Sequence, residues 1–137
     1  MAEIKDDILH VKSDTDAFHE KLYAMQVNGS LTDFDLLAGN QCYPCHALVL
    51  AVASPRLRRD MKAIKRAGLK HEIYLKNFRE EIMKELIHYL YLGTCTLDST
   101  YMQDFLHAAC YLELQHLHDE CCHQAELHGI ELIPDAA

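Results

Sequence analysis

The sequence predicts an α+β domain, in which a small sheet packs against a cluster of α-helices. Apolar residues recur at three- and four-residue spacing in several segments, which is typical of amphipathic helices. Gly39-Asn40 separates two short apolar runs, and such a pair indicates a two-residue hairpin turn. The chain has 137 residues, half of them hydrophobic, which suits one domain with a substantial core.

Residues 1–14 form a polar segment ahead of the domain, and its few apolar residues favour a short strand. They are Ile4, Ile8, Leu9 and Val11. The segment has no long apolar stretch typical of an export signal, and the longest apolar run, Ala47–Ala53, is far too short to span a membrane. We therefore expect a cytoplasmic or nuclear protein whose cysteines are reduced thiols.

The first helix is predicted over residues 16–27. Phe18, Leu22 and Met25 repeat at helical spacing, and Gly29 follows as the usual residue just past a helix end. Strands are predicted over Phe34–Ala38 and Gln41–Pro44. The next segment, His46–Ala53, is apolar nearly all round and predicts a buried helix. Its expected core residues are Leu48, Val49, Leu50 and Val52.

A short basic helix is predicted from Pro55 to Arg66, with Ser54 as its N-cap and Gly68 as its end. Between residues 56 and 70 there are seven basic residues and one acidic residue, whereas the rest of the chain has six basic and twenty acidic ones. The seven basic residues of this run are Arg56, Arg58, Arg59, Lys62, Lys65, Arg66 and Lys70. The acidic remainder disfavours nucleic acid and anionic membranes as partners, and no aromatic residue interleaves the basic run. The run is interpreted as a solvated helix face, with an acidic partner surface as the alternative.

A third strand is predicted over Glu72–Leu75. Asn77 and Glu80 resemble a capping box that opens a helix over Phe78–Tyr91, which Gly93 ends. The following helix is predicted to be capped within residues 98–100. Its apolar residues are Met102, Phe105, Leu106, Ala109 and Leu112. The last helix is predicted over His116–His128, ends at Gly129 and is expected to bury Leu117, Cys121 and Leu127.

The cysteine and histidine clusters Cys42–His46 and Cys121–His123 raise the possibility of zinc or thiol chemistry. Cys42 and Cys45 are an odd number of residues apart on a strand, so their side chains are expected on opposite faces. The sequence contains no phosphate-binding loop, GxSxG or HExxH motif. We therefore expect buried thiols, no metal or other cofactor, no small-molecule substrate and no enzymatic activity.

Five motifs in order give this sequence its resemblance to the BTB/POZ domain family. They are Phe34–Leu37, His46–Ser54, Ser54–Met61, Leu86–Gly93 and Ala109–Leu114 followed by Cys121. The second matches the family pattern His-x-x-Val-Leu-Ala-x-x-Ser in its His46, its apolar run and its final Ser54. The resemblance implies a BTB/POZ fold over residues 15–130, with residues 131–137 as a C-terminal tail.

The resemblance also implies homodimerisation through the first helix and its neighbours. Phe18, Leu22 and Met25 would lie in that interface, or they would pack on their own domain. One group of the family recruits the cullin scaffold of a ubiquitin ligase. In this chain the expected cullin surface is Leu57, Met61, Ile64 and Tyr91, and Arg66 stands where that group often carries Glu.

Two further functions follow from the resemblance. Family members that form part of transcriptional regulators recruit corepressors through a charged pocket. That pocket pairs a strand Asp with a basic residue. Here Asp35 is present but Ala47 occupies the basic position, so the pocket is half complete. A purely structural oligomerisation module is the third alternative.

Overall fold

The computed structural model describes residues 7–133 and confirms the α+β class. Within this range the chain forms six α-helices and three strands. In order they are α1 (Thr15–Asn28), β1 (Phe34–Ala38), β2 (Gln41–Cys45), α2 (Ala47–Ala53), α3 (Pro55–Ala67), β3 (Glu72–Tyr74), α4 (Glu80–Leu92), α5 (Met102–Leu112) and α6 (Gln115–Leu127), with a 3₁₀ turn at Ser99–Tyr101.

The central strand of the sheet is β1, and the strand order is β2-β1-β3. It pairs antiparallel with β2 across the predicted Gly39-Asn40 turn and parallel with β3. Parallel neighbours need a crossover connection, which α2 and α3 provide. Alternate residues of β1 face the core, so Phe34, Leu36 and Ala38 are buried.

The core centres on α4, which contacts α1, α2 and α5. Its buried residues are Ile82, Met83, Leu86, Ile87, Leu90 and Tyr91. Helix α5 adds Met102, Phe105, Leu106, Ala108, Ala109 and Leu112. Helix α4 is therefore the support on which its neighbours are positioned. In residues 7–133, no helix has the length and apolar character needed to cross a membrane.

The predicted helix ends at glycine are confirmed for α1, α3 and α4. Gly29, Gly68 and Gly93 follow these helices with left-handed φ angles of 68°, 67° and 75°. The N-cap of α1 is Asp14, whose carboxylate accepts from the backbone N–H groups of Asp16 and Ala17. The left-handed conformation at each glycine ends the helix, because it lets the backbone N–H of the glycine donate to a carbonyl of the last helical turn.

The capping box predicted at the start of α4 is wrong. Asn77 has a φ of 68° and lies in a turn, in which the N–H of Phe78 donates to the carbonyl of Leu75 at 3.2 Å. The helix begins only at Glu80. The Glu80 carboxylate instead accepts from the backbone N–H of Asn40 at 2.9 Å and so supports the hairpin turn.

Two smaller expectations also fail. Leu127 is 63% exposed, because the buried face of α6 runs through Leu117, Cys121 and Ala125 at four-residue spacing. The strand expected near the N-terminus is absent from residues 7–14, and Val11 is 94% exposed. Ile4, which belonged to that expectation, lies outside the described residues.

The hydroxyl of Ser54 joins two helix ends. It accepts from the N–H of Leu57 at 3.1 Å, as the predicted N-cap of α3, and donates to the carbonyl of Leu112 at 2.7 Å. That carbonyl lies in the last turn of α5, where carbonyls lack partners within the helix. Because Ser54 is fully buried, no solvent can replace either bond.

Replacing Ser54 with alanine is expected to lower the free energy of unfolding by about 2 kcal/mol, because a buried N–H and a buried carbonyl lose their partner. Urea unfolding followed by circular dichroism measures this change. The matched control is Ser99→Ala, at an exposed serine, which should change stability by less than about 0.5 kcal/mol. Equal stabilities of the two variants would contradict the role given to Ser54.

Candidate functional site

A groove of about 600 Å³ opens between α1, α2 and the C-terminal end of α4. Phe18 and Leu22 of α1 form one wall, and Leu48 and Val52 of α2 form the other. Leu92 lies at the α4 end. We call this site the apolar groove.

Three large apolar side chains in the groove are mostly exposed to solvent. Phe18 is 60% exposed, Leu48 is 76% exposed and Val52 is 80% exposed. Single exposed apolar residues are common, but several around one concave site are typical of a protein-interaction surface. The apolar groove is therefore the candidate functional site.

The exposure of α2 corrects the prediction that this helix is buried. Leu50 is fully buried and Val49 is half-buried, but Leu48 and Val52 are not core residues. Helix α2 packs on α3 and α4, and within residues 7–133 no element covers the side that carries Leu48 and Val52. The apolar pattern of α2 predicted burial on every side, and the structure leaves the side that carries Leu48 and Val52 open.

The floor of the groove depends on His46, which precedes α2. The hydroxyl of Tyr91 lies 2.9 Å from the backbone nitrogen of His46 and 2.7 Å from its ring Nδ1. The ring Nε2 lies 2.8 Å from the carbonyl oxygen of Ser30. That carbonyl can only accept, so Nε2 carries a proton, and in the neutral ring Nδ1 accepts from the Tyr91 hydroxyl. These hydrogen bonds give His46 a structural role at the start of α2.

Helix α1 packs on α4, but none of its residues is fully buried. The ring of Tyr23 meets His88 edge-on at a centroid distance of 5.0 Å. The side-chain amide of Gln26 donates to the carbonyl of Pro44 at 3.1 Å. Met25 is half-buried and is not among the groove-lining residues, whereas Phe18, Leu22 and α2 line it together.

The sequence of residues 22–128 matches the family model of the BTB/POZ domain. The chain belongs to the BTB/POZ domain family. Kelch-like protein 8 of Mus musculus is 30% identical over 111 residues, which make up 81% of this chain and 18% of that protein. Kelch-like protein 40 of Homo sapiens is 36% identical over 83 residues, or 60% of this chain and 13% of that protein. The chain thus spans less than a fifth of these relatives.

Solved structures of BTB domains have the same fold. The BTB domain of zebrafish PATZ1 superposes with a TM-score of 0.76 at 14% identity, covering 87% of this chain and 99% of that one. The BTB domain of human gigaxonin superposes with a TM-score of 0.68 at 24% identity, covering 85% and 98%. Family membership supports a protein-interaction role for this BTB/POZ domain.

The expected cullin surface of the BTB/POZ domain needs correction at two residues. Leu57 is fully buried and Tyr91 is 2% exposed, so neither side chain is available on the surface. They are buried because Leu57 packs in the core beneath α3 and Tyr91 bonds to His46. Met61 and Ile64 are half-buried on the same side of α3 and remain as surface candidates.

The half pocket of the BTB/POZ domain is organised by a residue that sequence reasoning missed. The backbone N–H of Ala47 donates to the carboxylate of Asp33 at 2.7 Å, so Asp33 supports the start of α2. Asp35 lies on β1 opposite Pro44, on the face away from the core. Asp33 lies 14 residues before Ala47, so no local sequence pattern indicated this contact.

The thiols of Cys45, Cys95 and Cys121 are not activated. Burial raises the pKa of Cys45 and Cys121 to about 12 and that of Cys95 to about 11, so these groups stay protonated at neutral pH and are poor nucleophiles. Cys42 is exposed while Cys45 is buried, which confirms their placement on opposite faces. Among residues 7–133, no three His, Cys, Asp or Glu side chains form a group that could hold a metal ion.

Removing the hydroxyl of Tyr91 is expected to destabilise the domain. In Tyr91→Phe the N–H and Nδ1 of His46 lose their partner, which should lower the free energy of unfolding by about 2 kcal/mol. Chemical unfolding monitored by circular dichroism checks this value. Tyr74→Phe is the control, because Tyr74 is 56% exposed and should tolerate the change within about 0.5 kcal/mol. Similar losses in both variants would rule out a special role for the Tyr91–His46 contact.

Proposed function

We propose that this BTB/POZ domain is a homodimerising adaptor that uses the apolar groove for self-association. The observation that carries the proposal is the exposure of Phe18, Leu48 and Val52 around one groove. A second copy supplies the matching surface, since a two-fold axis brings α1 of each copy against α2 of the other. The same residues are then covered in both copies.

The energetics favour a broad interface around the groove. Full burial of a Phe, Leu or Val side chain contributes about 1.5–3 kcal/mol relative to exposure. Association costs about 4–15 kcal/mol in lost freedom, so a stable dimer buries roughly 800 Å² on each copy. Helix α1 gains cover by this association, because none of its residues is fully buried within its own copy.

The adaptor part of the proposal places a cullin scaffold of a ubiquitin ligase on α3. It is supported by family membership and by the similarity to kelch-like proteins. Met61 and Ile64 provide apolar contacts at the margin of α3. A dimer would present two such surfaces. A cullin bound at one surface would then be held at a raised effective concentration near whatever is bound at the other.

The double variant Leu48→Asp/Val52→Asp is expected to be a monomer, because dimerisation would bury two unpaired carboxylates. Multi-angle light scattering measures its mass at a concentration at which the unmodified chain is dimeric. Val27→Asp/Leu69→Asp is the matched control, since these side chains are 63% and 60% exposed but do not line the groove. A dimeric groove variant, or a monomeric unmodified chain, would refute the proposed interface.

The cullin contact is tested by light scattering of the domain mixed with a cullin N-terminal domain. We expect a two-to-two complex that Met61→Asp abolishes and Leu69→Asp preserves, because only Met61 lies on the proposed surface. Thermal melts establish that both variants are folded. Arg66→Glu, which restores the family's acidic residue, should strengthen the complex. A dimer that ignores the cullin would contradict the adaptor proposal and leave recruitment to a transcriptional regulator or pure oligomerisation.

A further inference from the structure

The outer face of α3 carries cations without acidic partners. Arg58, Lys62, Lys65 and Arg66 are exposed, and none of them forms an ion pair in the described part of the chain. The apolar residues Leu57, Met61 and Ile64 occupy the opposite side of the helix. We call the four exposed cations the basic face.

The acidic residues bordering the basic face are already engaged. Asp60 pairs with Arg56 at 3.1 Å, and Glu113 pairs with Arg59. Glu72 lies 3.5 Å from Lys70. These pairs use cations at the edges of the basic run and leave the four residues of the basic face to solvent.

The basic face works against the stability of α3. The first turn of α3 contains no acidic residue and carries Arg56 and Arg58, although the positive end of the helix dipole disfavours cations. Arg58 and Lys62 are four residues apart, as are Lys62 and Arg66, and each such like-charge pair destabilises the helix. Only Lys65 and Arg66, in the last turn, suit the dipole. Local rules are broken in this way where a surface serves a partner.

Charge distinguishes the possible partners. The chain outside residues 56–70 has six basic and twenty acidic residues, so a large polyanion would meet repulsion around the face. The ring of Tyr111 beside α3 is covered by the guanidinium of Arg56 at 4.4 Å and is not free to stack on a base. A narrow acidic segment avoids the repulsion and needs no stacking, so it fits better than a nucleic acid.

We propose that the basic face of α3 binds an acidic peptide segment of a partner protein. The helix has 13 residues and is about 20 Å long, which matches about six residues of an extended peptide. Aspartate or glutamate side chains of that segment pair with Arg58, Lys62, Lys65 and Arg66. The proposal does not depend on the dimer, whose apolar groove is formed by α1, α2 and α4. Arg58, Lys62 and Lys65 are not among the residues of the expected cullin contact, so their role can be tested separately from cullin binding.

The test uses fluorescein-labelled octaglutamate and fluorescence anisotropy with the full chain. Binding is expected at low salt and should weaken as salt rises, since exposed charges are screened. The variant Arg58→Gln/Lys62→Gln/Lys65→Gln should bind about tenfold more weakly and melt no earlier than the unmodified chain. It leaves Arg66 in place, because Arg66 also belongs to the expected cullin contact.

The matched control is Lys21→Gln/Lys76→Gln/Lys84→Gln, which removes three exposed cations on other elements and so changes net charge equally. It should bind octaglutamate within about twofold of the unmodified chain. The proposal is overturned by equal weakening in both variants, by no measurable binding at low salt, or by tighter binding of a labelled single-stranded DNA. A cullin complex that survives the basic-face variant would leave the adaptor proposal intact whichever result is obtained.

Discussion

The hydrogen bonds of His46 fix the relative positions of the elements that form the apolar groove. The ring reaches Ser30 just after α1, and both the ring and the backbone N–H reach Tyr91 near the end of α4. Because His46 is also the residue before α2, one side chain joins the three helices around the groove. These bonds are short and few, and the buried core of α4 holds Tyr91 in place to receive them. The groove is thus a product of the core and not of a flexible loop.

The same arrangement explains why apolar side chains of α1 and α2 remain exposed around the groove. Helix α2 has seven residues, all apolar, and only Leu50 is fully buried. Helix α1 lies on the outside of the domain with no fully buried residue. Neither helix completes its burial within one copy, and the proposed association would supply the missing cover. The basic face of α3 is a separate surface with a different chemistry, and its charges lower the stability of the helix that carries them.

Local patterns in the sequence predicted most of the fold. Apolar spacing identified the helices, the Gly39-Asn40 pair identified the hairpin, and Ser54 was recognised as a cap, because each depends on neighbouring residues. Two of the failures involve partners far along the chain. Glu80 looked like part of a local cap but bonds to Asn40, and Tyr91 looked like a surface contact but bonds to His46, 45 residues away. Residue type alone could not separate the exposed and buried sides of α2, since all its residues are apolar. That distinction depends on which helices surround α2, and the sequence does not show their arrangement.

Whether two copies meet through the apolar groove can be measured by an isotope-filtered NOE experiment. One half of the sample carries ¹³C-labelled methyl groups and the other half is unlabelled, so only contacts between copies are detected. The account predicts intermolecular contacts between the ring protons of Phe18 and the methyl groups of Leu48 and Val52. Intermolecular contacts confined to other surfaces, or their absence at concentrations where the domain is dimeric, would contradict it.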